Sequence, residues 1–137
     1  MSEFLNPLQQ AVYTRLVAQL PTVNIYDDAP GQPDGIPENN FPYIVIGDDT
    51  EVPWDTDDVL GMSLTITLHV WSRYRGKKEC KALLGNIYTA LHRQAANLSA
   101  TGYTFVDCLF EFSNILDQND GITRHGVCRY RLLMEKE

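Results

Sequence analysis

The residues best equipped for chemistry are carboxylates. Asp48, Asp49, Glu51, Asp55, Asp57 and Asp58 crowd into the segment from Asp48 to Gly61, with Val52 and Trp54 among them. Clustered carboxylates hold Ca²⁺ or Mg²⁺, or pair as general acid and general base. Either use needs a defined spacing, and this segment has none. Asp117-Gln118-Asn119-Asp120-Gly121 has the look of a calcium loop, but its glycine falls one place early and no Glu closes the loop. A solvated acidic face or a partner-facing patch therefore ranks ahead of a metal site. A small metal-dependent hydrolase using the Asp48–Asp58 segment stands as an alternative.

Histidines and cysteines add little. His69, His92 and His125 show no His-x-x-His or His-Glu-x-x-His spacing. His69 falls on the polar face of a strand, His125 near the start of the last strand. His92 falls near a helix C-terminus, where the helix dipole alone explains it. Cys80, Cys108 and Cys128 are odd in number and far apart. That suits reduced, mostly buried thiols of a cytosolic protein better than a disulfide framework, a zinc site or a redox pair. No phosphate loop, dinucleotide fingerprint or Gly-x-Ser-x-Gly elbow is present.

One basic run, Ser72-Arg73-Tyr74-Arg75-Gly76-Lys77-Lys78, completes the inventory. With Trp71 and Tyr74 it could stack on nucleic acid and neutralise it. A net charge of -7 argues against a general grip on nucleic acid or on an anionic membrane. Contact with an acidic surface fits better, and the Asp48–Asp58 segment of another copy supplies one. Opposite charges on separate patches of one chain suit a head-to-tail ring. The candidate interface is therefore Asp48, Asp49, Asp55, Asp57, Asp58, Trp71, Arg73, Tyr74 and Arg75. No catalytic, cofactor-binding or metal-ligating residue is assigned.

The elements that position these residues follow from hydrophobic period. Met62, Leu64, Ile66, Leu68 and Val70 alternate with Ser63, Thr65, Thr67 and His69, which predicts a strand from Met62 to Trp71 with one face on a core. After the basic turn, Cys80, Leu84, Ile87 and Leu91 recur at helical spacing, predicting a helix ending near Ala96. Upstream, Asn6 suits an N-cap and Pro7 a first helical position. Leu8, Val12 and Leu16 continue that helix, and Pro21 stops it. Val23–Tyr26 reads as a short strand and Phe41–Gly47 as another, with a long exposed loop, Asp27 to Asn40, between them. A short edge strand is expected around Glu51–Trp54.

Tyr103–Leu116 is a long strand expected to place Val106, Cys108, Phe110 and Phe112 on one face and Asp107, Leu109, Glu111 and Ser113 on the other. A hairpin turn at Asp120-Gly121 leads into a final strand to Met134, with Phe110 and Phe112 near Tyr130. The chain of 137 residues holds one domain, residues 1–137. Its expected class is α+β, with a largely antiparallel sheet of about five strands covered by two helices in the order α-β-β-β-α-β-β. No run approaches the ~18 apolar residues of a membrane span, and the N-terminus has no secretory character.

The ordered set of motifs resembles a known family. It comprises Ile25-Tyr26-Asp27-Asp28-Ala29-Pro30, Phe41-Pro42-Tyr43-Ile44-Val45-Ile46-Gly47 and Leu68-His69-Val70-Trp71-Ser72-Arg73 with Gly76. Ile87-Tyr88, Leu91-His92, Asp120-Gly121-Ile122-Thr123-Arg124-His125-Gly126-Val127 and Arg129-Tyr130-Arg131 follow. Together they are similar to the tail-completion and tail-terminator proteins of long-tailed bacteriophages and prophages, long catalogued as a domain of unknown function. The resemblance implies a small α+β subunit that assembles into a ring, commonly a hexamer, capping the tail tube and joining it to the head. It implies tail-tube and head–tail connector proteins as partners, a place in the virion tail after assembly in the bacterial cytoplasm, no enzyme activity and no cofactor. DNA would pass such a ring without specific binding, since like charge prevents sticking. A head-completion or neck protein at the same junction, and a peptide-binding module using an open sheet edge, remain alternatives.

Overall fold

The computed structural model describes residues 3–27 and 41–137. The elements are α1 (Leu5–Gln19), β1 (Asn24–Tyr26), β2 (Tyr43–Pro53), β3 (Gly61–Ser72), α2 (Lys78–Leu91), a short 3₁₀ turn (Ala95–Asn97), β4 (Tyr103–Asp117) and β5 (Arg124–Lys136). The five strands form one sheet in the order β1-β2-β3-β5-β4. Only β1 pairs in parallel, with β2; the other pairings are antiparallel. The expected α+β class and element order hold.

Both helices lie on one face of the sheet. Leu8, Val12 and Leu16 of α1 and Cys80, Ile87 and Leu91 of α2 are fully buried, as are Leu64, Ile66, Leu68 and Val70 of β3 and Tyr130, Leu132 and Met134 of β5. The period-2 pattern of the central strands and the 3.6-residue pattern of the helices meet in this one apolar layer. Arg15 Nε of α1 donates to the Ala90 carbonyl at 2.9 Å, so α1 also satisfies a carbonyl in the last turn of α2. Helix α2 approaches the sheet closely because Gly126 of β5 has no side chain. A Cβ there would lie 2.7 Å from Cys80 Sγ and 3.3 Å from Leu84 Cδ1.

Four expectations need correction. Helix α1 starts at Leu5 with Phe4 in the cap position and no side-chain cap, so Asn6 lies within the first turn. Helix α2 ends at Leu91, short of Ala96, because the next residues are captured by β4. The Arg93 N–H donates to the Cys108 carbonyl at 2.7 Å, and the Phe110 N–H donates to His92 Nδ1 at 3.0 Å. His92 therefore works as a hydrogen-bond acceptor for β4 here, a role the helix dipole did not anticipate. Strand β4 carries two register shifts, between Phe105 and Asp107 and between Phe110 and Phe112. Each bulge adds a residue and flips the facing pattern. Val106 and Phe112 are thereby exposed, whereas Phe105 and Cys108 are buried. Phe110 meets Tyr130 edge-on at 5.6 Å, but Phe112 lies under the Arg129 guanidinium at 5.0 Å instead. Strand β2 runs on to Pro53, so the separate strand expected near Glu51–Trp54 is its continuation.

The Asp27–Asn40 loop falls, beyond Asp27, outside the described residues. All three cysteines are buried, and among the described residues no helix is long and apolar enough to cross a membrane.

The contact at Gly126 gives a direct test. Gly126→Ala should destabilise the protein by roughly 1–3 kcal/mol through overpacking, read by urea unfolding. The Cys80→Ala/Gly126→Ala double variant should cost less than the sum of the two single changes, because the added methyl then enters the space vacated by the thiol. Strict additivity would sink this account.

Candidate assembly surface

The acidic segment is a hairpin more than a loop. Asp48, Asp49 and Glu51 belong to β2, and its pairing with β3 runs to Pro53 opposite Met62. A bulge between Ile46 and Asp49 turns Asp49 onto the same face as Ile66. There burial first, then the charges of Asp48 and Glu51, raise its pKa above the usual aspartate value. Only residues 54–60 leave the sheet. The Trp54 N–H donates to the Gly61 carbonyl and the Thr56 N–H to the Val59 carbonyl, both at 2.9 Å. The Gly61 N–H donates to Asp55 Oδ1 at 3.0 Å. A Cβ on Gly61 would sit 2.3 Å from the Trp54 carbonyl oxygen, so this tight neck requires glycine. Asp57 and Asp58 are left at the exposed apex, flanked by the exposed apolar residues Val52, Trp54 and Leu60.

The basic run lies at the other end of β3. That strand has 12 residues, which separates the two ends by about 36 Å at the usual rise per residue. Buried Ser72 organises the turn: its Oγ donates to Glu79 Oε1 at 2.7 Å and accepts from the Tyr74 N–H at 3.2 Å. Arg73 is committed inward. Its Nε donates to Thr123 Oγ1 at 3.1 Å, and its guanidinium lies 4.4 Å above the Phe41 ring. Thr123 Oγ1 in turn donates to Asp120 Oδ2 at 2.6 Å. Hydrogen bonds from the Thr123 hydroxyl and from the backbone N–H groups of Thr123 and Ile122 hold the Asp120 carboxyl down to about 2. The segment resembling a calcium loop is thus a self-capped turn. Tyr74, Arg75, Lys77 and Lys78 remain exposed.

The sheet face away from the helices carries a ladder of rings. Tyr43 stacks on Trp71 at 6.4 Å, Trp71 on His125 at 3.9 Å, and His125 on His69 at 4.9 Å. His69 Nδ1 and His125 Nε2 are 2.7 Å apart and share a hydrogen bond. Burial, then the neighbouring His69, pushes His125 down to about 4. Burial also lowers His69, against the opposing pull of Asp48. The two histidines are 56 positions apart in sequence, and only the β3–β5 register, which sets Trp71 opposite His125, could have foretold the pair. Beside them Glu111 accepts from Arg129 Nε at 2.8 Å and Arg131 Nε at 2.7 Å. Burial would raise the Glu111 pKa, but those two hydrogen bonds reverse the effect and hold it below the ordinary value. Among the described residues no three His, Cys, Asp or Glu side chains converge to hold a metal ion.

Of the nine residues singled out by sequence, the structure therefore gathers Asp55, Asp57 and Asp58 at one pole and Tyr74 and Arg75 at the other. Asp48 and Asp49 sit within β2, and Trp71 and Arg73 are built into the ring ladder and the Thr123 network.

The fold has known relatives. The sequence profile of the family described as Tail completion protein gp17 matches residues 9–135. The chain belongs to the tail completion protein gp17 family. The curated tail completion protein gp17 of Bacillus phage SPP1 is 29% identical over 127 residues, spanning 90% of this chain and 89% of its own. A chain of the virion of a native gene transfer agent (GTA) particle superposes with a TM-score of 0.80 at 19% identity. That match covers 98% of this chain and 99% of the other, and it shows a shared fold. As a tail completion protein of this family, the chain is a structural protein of phage tail assembly.

The histidine pair sets a pH dependence. Both states are neutral at His125 above the unfolded pKa of ~6.5; below it the unfolded chain takes up a proton that the folded chain refuses until about 4. Stability should therefore fall as pH drops from about 6.5 to about 4, with this group contributing about 1–2 kcal/mol after allowance for partial solvent screening. His125→Phe keeps a ring against Trp71 and should remove that component. If urea midpoints for wild type and variant run parallel over this range, the assignment is wrong.

Proposed function

We propose that the protein assembles with copies of itself into a ring that caps the tail tube and joins it to the head. The observation that supports this most directly is the polarity of the subunit. An acidic hairpin tip and a basic turn stand at opposite ends of one 12-residue strand, so they cannot neutralise each other within a chain but can do so between neighbours. Such a contact is heterologous, and it closes into a ring when the rotation per subunit allows.

In this reading Asp55, Asp57 and Asp58 meet the neighbour's Tyr74 and Arg75. Trp71 and Arg73 hold the basic turn in place, and Asp48 and Asp49 add negative potential along the hairpin stem. The tail-tube protein and the head–tail connector are the other partners. The work is structural, done without catalysis or cofactor, in the virion tail after assembly in the bacterial cytoplasm. The net charge of -7 suits a lumen through which DNA slides without sticking.

Light scattering with and without purified tail tubes, followed by electron microscopy, tests the proposal. Rings in solution, or caps on tube ends, are expected. Arg75→Glu should weaken assembly roughly 5–10-fold, an effect that shrinks at high salt as the charges are screened. A wild-type chain that stays monomeric and ignores tube ends overturns the ring.

A further inference from the structure

A groove on the helix side of the sheet is unused by anything described so far. It lies between α2 and the second half of β4, encloses about 540 Å³, and is lined by Lys77, Lys81, Leu84, Tyr88, Phe110 and Ile115. Its openness has a local cause. Gly85 on α2 and Ser113 and Asn114 on β4 also line it, and these small side chains leave the seam unfilled. Strand β4 is an edge strand of the sheet, so among the described residues no further strand covers the groove's far side.

We propose that this groove receives the acidic hairpin tip of a neighbouring copy. The inference deepens the ring reading and rests on it. Charge favours this occupant. Lys77, the cap residue of α2, and Lys81 in its first turn stand four residues apart, and among the described residues neither makes an ion pair or a side-chain hydrogen bond. Asp57 and Asp58 at the hairpin apex are exposed and carry the opposite sign. The apolar surfaces match as well. Behind its two carboxylates the hairpin exposes Trp54 at 37% and Leu60 at 57%, and the groove offers Leu84, Tyr88, Phe110 and Ile115. An aromatic anchor seated in an apolar pocket, with charged pairs at its rim, is a usual composition of an interface.

Place in the fold requires the contact to be intermolecular. Ile115 pairs with Gly126 and Gly126 with Val70, which sets the groove near the Ser72 end of β3. The hairpin leaves from the Gly61 end. The tip is also ready to bind, since the Thr56–Val59 and Trp54–Gly61 backbone bonds and the Asp55–Gly61 bond fix its shape in the free subunit. Little ordering remains to oppose docking.

A charge exchange on the full chain tests this. Lys77→Glu/Lys81→Glu and Asp57→Lys/Asp58→Lys should each weaken assembly at least about tenfold, and the quadruple variant should recover to within about threefold of wild type. All four positions are exposed, and thermal unfolding of each variant verifies that it is folded. If wild type assembles and the groove variant assembles equally well, or the exchange fails to restore assembly, the groove proposal is wrong and the ring stands on other contacts. If the groove variant forms normal rings that no longer bind tube ends, the occupant is the tube protein and the proposal is overturned. If wild type assembles in neither setting, the ring reading itself fails.

Discussion

Everything in this molecule depends on the pairing of β3. It is bonded to β2 on one side and to β5 on the other over nearly its whole length. That double ladder satisfies the strand's backbone in a buried setting where an unpaired group would be costly. It places Leu64, Ile66, Leu68 and Val70 under the helices and Thr65, Thr67, His69 and Trp71 on the opposite face. It also fixes the distance and direction between the two charged poles. A slip of one residue would exchange these faces and break core and ring ladder together.

How much of this was legible follows from what sets each feature. The β3 alternation and the α1 stripe are local patterns, and both elements appear where the pattern placed them. Features that depend on pairing partners were not legible. The bulges in β2 and β4 have no fixed sequence signature, so Val106 and Phe112 were assigned to the wrong face. The α2 terminus depends on carbonyl and amide groups of β4, which lie well downstream in the chain. The His69–His125 contact is a product of register. Among the candidate surface residues, exposure was a fair expectation for Asp57, Asp58, Tyr74 and Arg75. Arg73 was different, because the residues that draw it inward, Phe41 and Thr123, are remote in sequence.

The two poles differ in construction. The acidic pole is a bare tip closed by backbone hydrogen bonds, with its carboxylates facing water. The basic pole is braced by side chains: Ser72 on Glu79, Arg73 on Thr123 and Phe41, Thr123 on Asp120. In the proposed ring, the projecting tip and the braced turn serve as complementary halves of the repeated contact. The ordered face between them, with Glu111 shared by two arginines and the histidines hydrogen-bonded to each other, has few charges left unpaired and offers less to a charged partner.

The tip's closure by main-chain bonds bears on divergence. Apart from Gly61 and Asp55, the geometry of the hairpin asks little of its side chains, so the residues at its apex can change without refolding the domain. In the proposed ring, the contact chemistry of the tip is thereby free to change while the sheet beneath stays the same.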